Sequence, residues 1–187
     1  MDIYLIRHTK TVAVPGLCYG QTDIGLAASF LEEAAQIRAK LPALPPDCPV
    51  FCSPLSRCAQ LAGLLSTQVL PDRRLLEINF GAWENKPFDS IDEAALRHWT
   101  DNFVHIAPPE GESFTDLCQR AGEFWQDLVQ HDAPQVLVVT HAGMIRALLA
   151  FVLGLPPANA FQFRVGLGSV HKLHYTPDYT YIDYLNA

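Results

Sequence analysis

The chain has 187 residues, 49% hydrophobic and 18% charged, a balance that suits one ordered domain with a sizeable core and excludes extended disorder. Thirteen Lys and Arg against twenty Asp and Glu leave a formal charge of −7, which argues against nucleic acid or a membrane surface as a partner. An anionic ligand therefore needs a local basic pocket, because the field of the whole molecule repels it.

The first element is "IYLI", a short β-rich run suited to a strand buried on both faces, which stops abruptly on Arg7-His8. From Leu26 to Leu41, Phe30, Leu31, Ala34, Ile37 and Leu41 recur at helical spacing. After the connector "PALPPDCP", "VFC" reads as a second strand. In the helix that follows, Ser53 suits the N-cap and Pro54 the first position, with Leu55, Ala59, Ala62 and Leu65 on one buried face. "RLLEINF" is a third candidate strand.

Roughly residues 84–130 differ in character and read as a small helical cap inserted above the sheet. Ser90 with Glu93 and Ser113 with Asp116 have capping-box spacing, and Leu117, Ala121, Phe124 and Leu128 form the stripe of the second helix. "QVLVV" is a buried strand ending at Thr140-His141, and "AGMIRALLAFVLGL" a helix. The tail "SVHKLHYTPDYTYIDYL" alternates like a hairpin turning at Pro177-Asp178. Strands alternating with helices predict a three-layer α/β/α sandwich, with a mostly parallel central sheet, as a single domain over 1–187.

No leading stretch has the pattern of a signal peptide, and "MIRALLAFVLGL" is too short for a membrane span and carries Arg146. Five cysteines without a C-x-x-C pair read as reduced packing thiols, and with them a cytoplasmic protein is expected. His171 and His174 lie three apart on a strand and so face opposite sides, a poor arrangement for sharing a metal.

Chemistry collects where the strands end. The first ends on Arg7-His8; the second is followed by Arg57; the third carries Glu77; the fourth ends on His141. Open α/β sheets bind ligands at the carboxyl ends of their strands, so these five side chains converge on one edge. Two guanidiniums offer permanent, bidentate donors for phosphate oxygens, and helix N-termini add backbone N–H groups. A neutral imidazole is a nucleophile toward phosphorus, a second histidine can stabilise the transferred group, and Glu77 can move the proton of the leaving alcohol.

The segments "YLIRHTKT", "SPLSRCAQLA", "LLEINFGAWE" and "VVTHAGMIRALL", in this order from residue 3 to about 150, resemble the signatures of the histidine phosphatase superfamily, in its phosphoglycerate-mutase-like branch. The resemblance implies a phosphohistidine intermediate, no metal and no cofactor. It makes His8 the nucleophile, Arg7 and Arg57 phosphate clamps, His141 the second phosphate-binding histidine and Glu77 the proton donor. The chain departs from the pattern at Thr9, where Gly is usual after Arg-His, and at Val14, where an Asn is often found. It departs again at Leu26-Ala27, in place of Leu-Thr, which removes a cap worth about 1 kcal/mol, and at Phe30, in place of Gly.

The loop "GLCYGQTDIGL" resembles that of the α-ribazole phosphatase group, which implies removal of the 5′-phosphate of α-ribazole phosphate in assembly of the cobalamin lower ligand. Tyr19 is suited to stacking on a flat base, and Gln21 and Asp23 to hydrogen bonds with the substrate; the loop also reads as a plain turn built on Gly16 and Gly20. The partner expected is thus a small phosphate ester. A broad-specificity phosphatase, a phosphoglycerate-type mutase and a non-catalytic phosphate-binding module remain as alternatives. The compact length favours a phosphatase over a mutase, and the presence of both His8 and Glu77 speaks against an idle module.

Overall fold

The computed structural model describes all 187 residues. In chain order the elements are β1 (Asp2–Arg7), β2 (Leu17–Cys18), α1 (Phe30–Ala39), β3 (Val50–Cys52), α2 (Ser56–Leu65), β4 (Val69–Pro71) and β5 (Lys86–Pro87). Then follow α3 (Glu93–Asn102), α4 (Phe114–Leu128), β6 (Gln135–Thr140), α5 (Ala142–Val152), β7 (Val170–Tyr175) and β8 (Thr180–Tyr184). The main sheet runs β4-β3-β6-β1-β7-β8. Its first four strands are parallel; β7 and β8 form the antiparallel terminal hairpin.

The apolar strands are covered on both faces, which makes three layers. On one face Ile3, Leu5 and Val138 pack with α4 and α5; on the other Tyr4, Ile6 and Val139 pack with α1 and α2. Alternate residues of a strand thus feed separate cores, as pleat geometry requires. No helix is long and apolar enough to cross a membrane.

Several local expectations are corrected. "RLLEINF" is not a strand: β4 ends at Pro71, Asp72 caps a 3₁₀ turn at Arg73–Leu75, and the chain then runs irregularly. Its carbonyls find partners outside a ladder, since Arg120 donates to Arg74, Leu76 and Glu77, and Thr140 Oγ1 to Leu75. Helix α1 starts at Phe30 rather than Leu26 and leaves Leu31 exposed. Helix α2 starts at Ser56, so Ser53 does not cap it and Pro54 lies outside it. Asp92, not Ser90, caps α3, while the Ser90 hydroxyl donates to the Pro87 carbonyl.

The stretch 84–130 divides in two. The β2–β5 ribbon and α3 gather around a small separate cluster of Cys18, Trp83 and Ile91, whereas α4 lies in the main core against α5. The Ser113–Asp116 capping box is formed in both directions, and its stripe residues are all buried. Ser113→Ala should therefore cost about 1 kcal/mol, lowering Tm by ~2–4 °C for a chain of this size. Ser90→Ala should leave the thermal melt in place, and equal losses in both would contradict the assigned caps.

Candidate active site

Register brings the site together. Arg7 pairs with Thr140 across β1 and β6, and Cys52 pairs with Val139 across β3 and β6. The residues just beyond, His8, His141 and Ser53, therefore emerge level at one edge. The His8 and His141 rings lie 5.1 Å apart in an edge-on arrangement.

His8 is buried, and its Nδ1 lies 2.7 Å from the Thr9 carbonyl. A carbonyl only accepts, so Nδ1 carries the proton and Nε2 keeps its lone pair. Burial pushes its pKa down to about 3, the neighbouring Arg57 and Arg7 add to the shift, and the Thr9 bond opposes it. His141 is fully buried and held well below the ordinary imidazole range, by burial first and then by His8 and the nearby arginines. Its Nδ1 accepts from Arg57 Nε at 3.3 Å, so its Nε2–H donates to Ser53 Oγ at 2.8 Å. Both histidines are neutral in this structure, and His141 holds no positive charge to offer.

Arg57 has no solvent exposure. Besides His141 it donates to the carbonyls of Gly20 and Thr22, which leaves two of its five N–H groups. Arg7 donates from Nη1 to the Val165 carbonyl at 2.8 Å, while its buried Nε has no protein partner. Glu77 sits at the N-terminus of α5: Oε2 accepts from Gly143 N–H at 3.0 Å, and Oε1 from Ile78 N–H at 3.0 Å. These backbone donors fix the position of the Glu77 side chain at the helix start. A Cβ at Gly143 would lie 2.3 Å from Glu77 Oε1, so glycine is what allows this approach.

The five side chains expected at the site thus share one edge, but the three loop residues part company. Tyr19 lines a cavity of about 180 Å³ next to Glu77, its ring beneath the Arg57 guanidinium at 5.4 Å and its hydroxyl 3.1 Å from Thr11 Oγ1. Gln21 and Asp23 are turned to the protein instead. Gln21 Nε2 donates to the Glu77 carbonyl at 3.0 Å; Asp23 Oδ1 accepts from Ser56 N–H and Oγ, capping α2 from a distance. Val14 points to solvent, and the Thr9 hydroxyl, where the usual glycine has none, is buried without a partner.

Four further residues bear on the site. Ser53 accepts from the Nε2–H that the Arg57 contact leaves on His141. Glu84 accepts from the N–H groups of Gly20, Gln21, Thr22 and Phe80 and from the Thr22 hydroxyl. Burial alone would raise its pKa, but the bonds from Thr22, Gly20, Gln21 and Phe80 outweigh it and bring the pKa below the ordinary carboxylate value. Gly20 lies so close beneath that a Cβ would meet the Ile78 carbonyl at 1.9 Å. Arg120, paired with Glu112 at 2.6 Å, donates from Nη2 to the Glu77 carbonyl. Arg146 lines the cavity from α5. The only sequence signals for these were a serine closing a strand and charges set in helices; nothing in spacing marked Glu84.

A larger cavity of about 390 Å³ lies at the opposite end of the strands, among Asp47, Asp132 and Gln135. Its carboxylates have the wrong sign for a phosphate.

Residues 3–187 match the Histidine phosphatase superfamily (branch 1). The adenosylcobalamin/alpha-ribazole phosphatase of Escherichia coli strain K12 is 32% identical, over 100% of this chain and 96% of that protein. The crystal structure of the alpha-ribazole phosphatase from Shigella flexneri superposes with a TM-score of 0.89 at 30% identity, over 100% of this chain and 96% of that one. A mycobacterial glucosyl-3-phosphoglycerate phosphatase superposes at 0.85 with 28% identity, over 100% and 98%.

Gly143→Ala should lower kcat by about 10²-fold or more while the protein stays folded, because it displaces Glu77, the side chain expected from the sequence to move the proton. Near-normal kcat in that variant would contradict the placement of Glu77. His8, His141 and also His171, held at about 4 by burial, are neutral in the folded state. Below pH ~6.5 the unfolded chain takes up protons that these folded histidines refuse. Stability is therefore full above that value and falls toward pH 4, by about 1.4 kcal/mol per pH unit for each histidine. Thermal melts from pH 7 to 4.5 should show this decline, with a shallower slope in His171→Gln.

Proposed function

The chain belongs to the histidine phosphatase superfamily and is a phosphoric monoester hydrolase, and from that premise we propose that it works through a phosphohistidine on His8, with α-ribazole 5′-phosphate as its substrate. The observation that carries the mechanism is the state of His8. Its proton is fixed on Nδ1, its Nε2 lone pair is free, and two guanidiniums flank it without protonating it.

In this reading the phosphoryl group is held by Arg7, whose buried Nε lacks a partner, by the two remaining N–H groups of Arg57, and by the Nε2–H of His141 once it exchanges Ser53 for a phosphoryl oxygen. His8 Nε2 attacks phosphorus as the ester P–O bond breaks, and Glu77 in its protonated form gives its proton to the departing oxygen. Water then attacks the phosphohistidine and surrenders a proton to Glu77. The P–N bond breaks, inorganic phosphate leaves, and His8 and Glu77 return to their starting states. The two arginines balance the charge that gathers on the phosphoryl oxygens, in a site that excludes most water.

The substrate reading rests on the likeness to alpha-ribazole phosphatases over the whole chain and on the cavity beside Glu77. That cavity is walled by Tyr19, Phe80, Phe103, Phe114 and Phe161, an apolar surface that suits a flat base. Apolar cavities of about 150 Å³ accept a benzene ring, so about 180 Å³ takes one ring system rather than an extended chain.

His8→Ala should abolish turnover of a simple aryl phosphate, by about 10³-fold or more, without changing the fold. Wild-type enzyme quenched in alkali during turnover should carry label from the substrate phosphate on His8. Full activity in His8→Ala would end the mechanism. Across α-ribazole 5′-phosphate, 3-phosphoglycerate and nucleoside monophosphates, kcat/KM should be highest for the first by at least about tenfold. Comparable values for all would end the substrate assignment.

A further inference from the structure

Arg146 is a cation the phosphoryl chemistry does not use. It lies on α5 five residues beyond His141, about 7.5 Å of axial rise from it, on the same helix face as Ala142 and Gly143. All three line the cavity that holds Glu77. Arg146 Nε donates to the Phe163 carbonyl at 3.1 Å, and the guanidinium sits over the Phe161 ring at 5.0 Å. These two contacts fix the plane of the group. Its terminal nitrogens, Nη1 and Nη2, have no hydrogen-bond partner in the protein, and no carboxylate lies within ion-pair distance.

The guanidinium is half-buried and held by these two contacts, with Glu77 as the nearby opposite charge, so its free edge is open to a ligand. That edge is a pair of parallel donors, which matches two oxygens on adjoining atoms or on one carbon. The axial offset from His141 places it beside the departing alcohol rather than the phosphorus. The rest of the wall is largely apolar and includes the rings of Phe80, Phe103 and Phe161, so the occupant combines a flat apolar body with an oxygen pair nearer the ester.

We propose that Arg146 is a specificity-determining residue of the leaving-group subsite, its guanidinium fork donating to a pair of oxygens on the departing alcohol. On the substrate reading above, which this deepens, those oxygens are the vicinal ribose hydroxyls, and the base lies against the three phenylalanines. The fork stays in contact with the alcohol throughout transfer and so adds to binding more than to the chemical step.

The test compares two matched substrate pairs in wild type, Arg146→Gln and Arg146→Lys, with Tm and circular dichroism to verify folding. The first pair is α-ribazole 5′-phosphate and its 2′,3′-dideoxy analogue. The second is 2-phosphoglycolate and ethyl phosphate, which differ by a carboxylate. Wild type should prefer the diol by about tenfold or more, and both variants should bring that ratio near one, with the loss carried in KM. Lys keeps the charge but not the fork, so a ratio retained in Arg146→Lys would overturn the proposal. Loss of preference only in the carboxylate pair would keep Arg146 as the reader of an oxygen pair while refuting the ribazole assignment. A wild-type diol preference that survives in Arg146→Gln would refute the role of Arg146 and leave the substrate reading standing. No dependence on Arg146 in either pair would overturn the proposal outright.

Discussion

The parallel register of β1 on β6 is the constraint from which the site follows. Six residue pairs from Asp2–Gln135 to Arg7–Thr140 fix the two strands against one another, and both strands are buried on both faces. A slip of one residue would turn the side chains of a strand into the opposite core. Because the register cannot move, His8 and His141 leave the sheet side by side, and β3 delivers Ser53 at the same level. The reactive geometry is thus a by-product of packing Ile, Leu and Val in the middle of the strands.

Electrostatics then assigns the protonation states. The molecule is acidic overall, yet the edge where the strands end holds Arg7 and Arg57 with no carboxylate bonded to either. Backbone carbonyls solvate these cations in place of water, and the same cations together with burial keep both imidazoles neutral. Glu77, the carboxylate at this edge, is bonded to backbone N–H groups rather than to an arginine side chain, which leaves it free of an ion pair.

Much of this was legible in the chain. The apolar runs gave three of the main-sheet strands, alternation gave the terminal hairpin, the stripe from Leu117 to Leu128 gave α4, and polar residues near the strand ends gave the five side chains at the edge. What was not legible depends on distant partners. "RLLEINF" has strand composition, but its carbonyls are claimed by Arg120 and Thr140, far along the chain, and it stays out of the sheet. Ser53 and Pro54 have the look of a helix start, yet the helix waits three residues because Asp23, from another loop, caps it. The division of 84–130 into an outer ribbon-and-helix unit and a core helix turns on which apolar face meets which, and sequence periodicity is silent on that. Gln21 and Asp23 looked suited to a ligand for the same reason that they suit the backbone: both are short polar groups in reach of open donors and acceptors.

Glu84 joins two parts of the chain that are sixty residues apart. One carboxylate gathers the backbone of Gly20, Gln21 and Thr22 on one side and of Phe80 on the other. The loop and the base of the cap are therefore tied into a single mechanical module. A recombinant that took the loop from one homologue and the cap from another would put a foreign backbone on each side of that carboxylate. New leaving-group preferences are reached more readily by exchanging both segments together, with the strand ends and their phosphoryl chemistry carried over untouched.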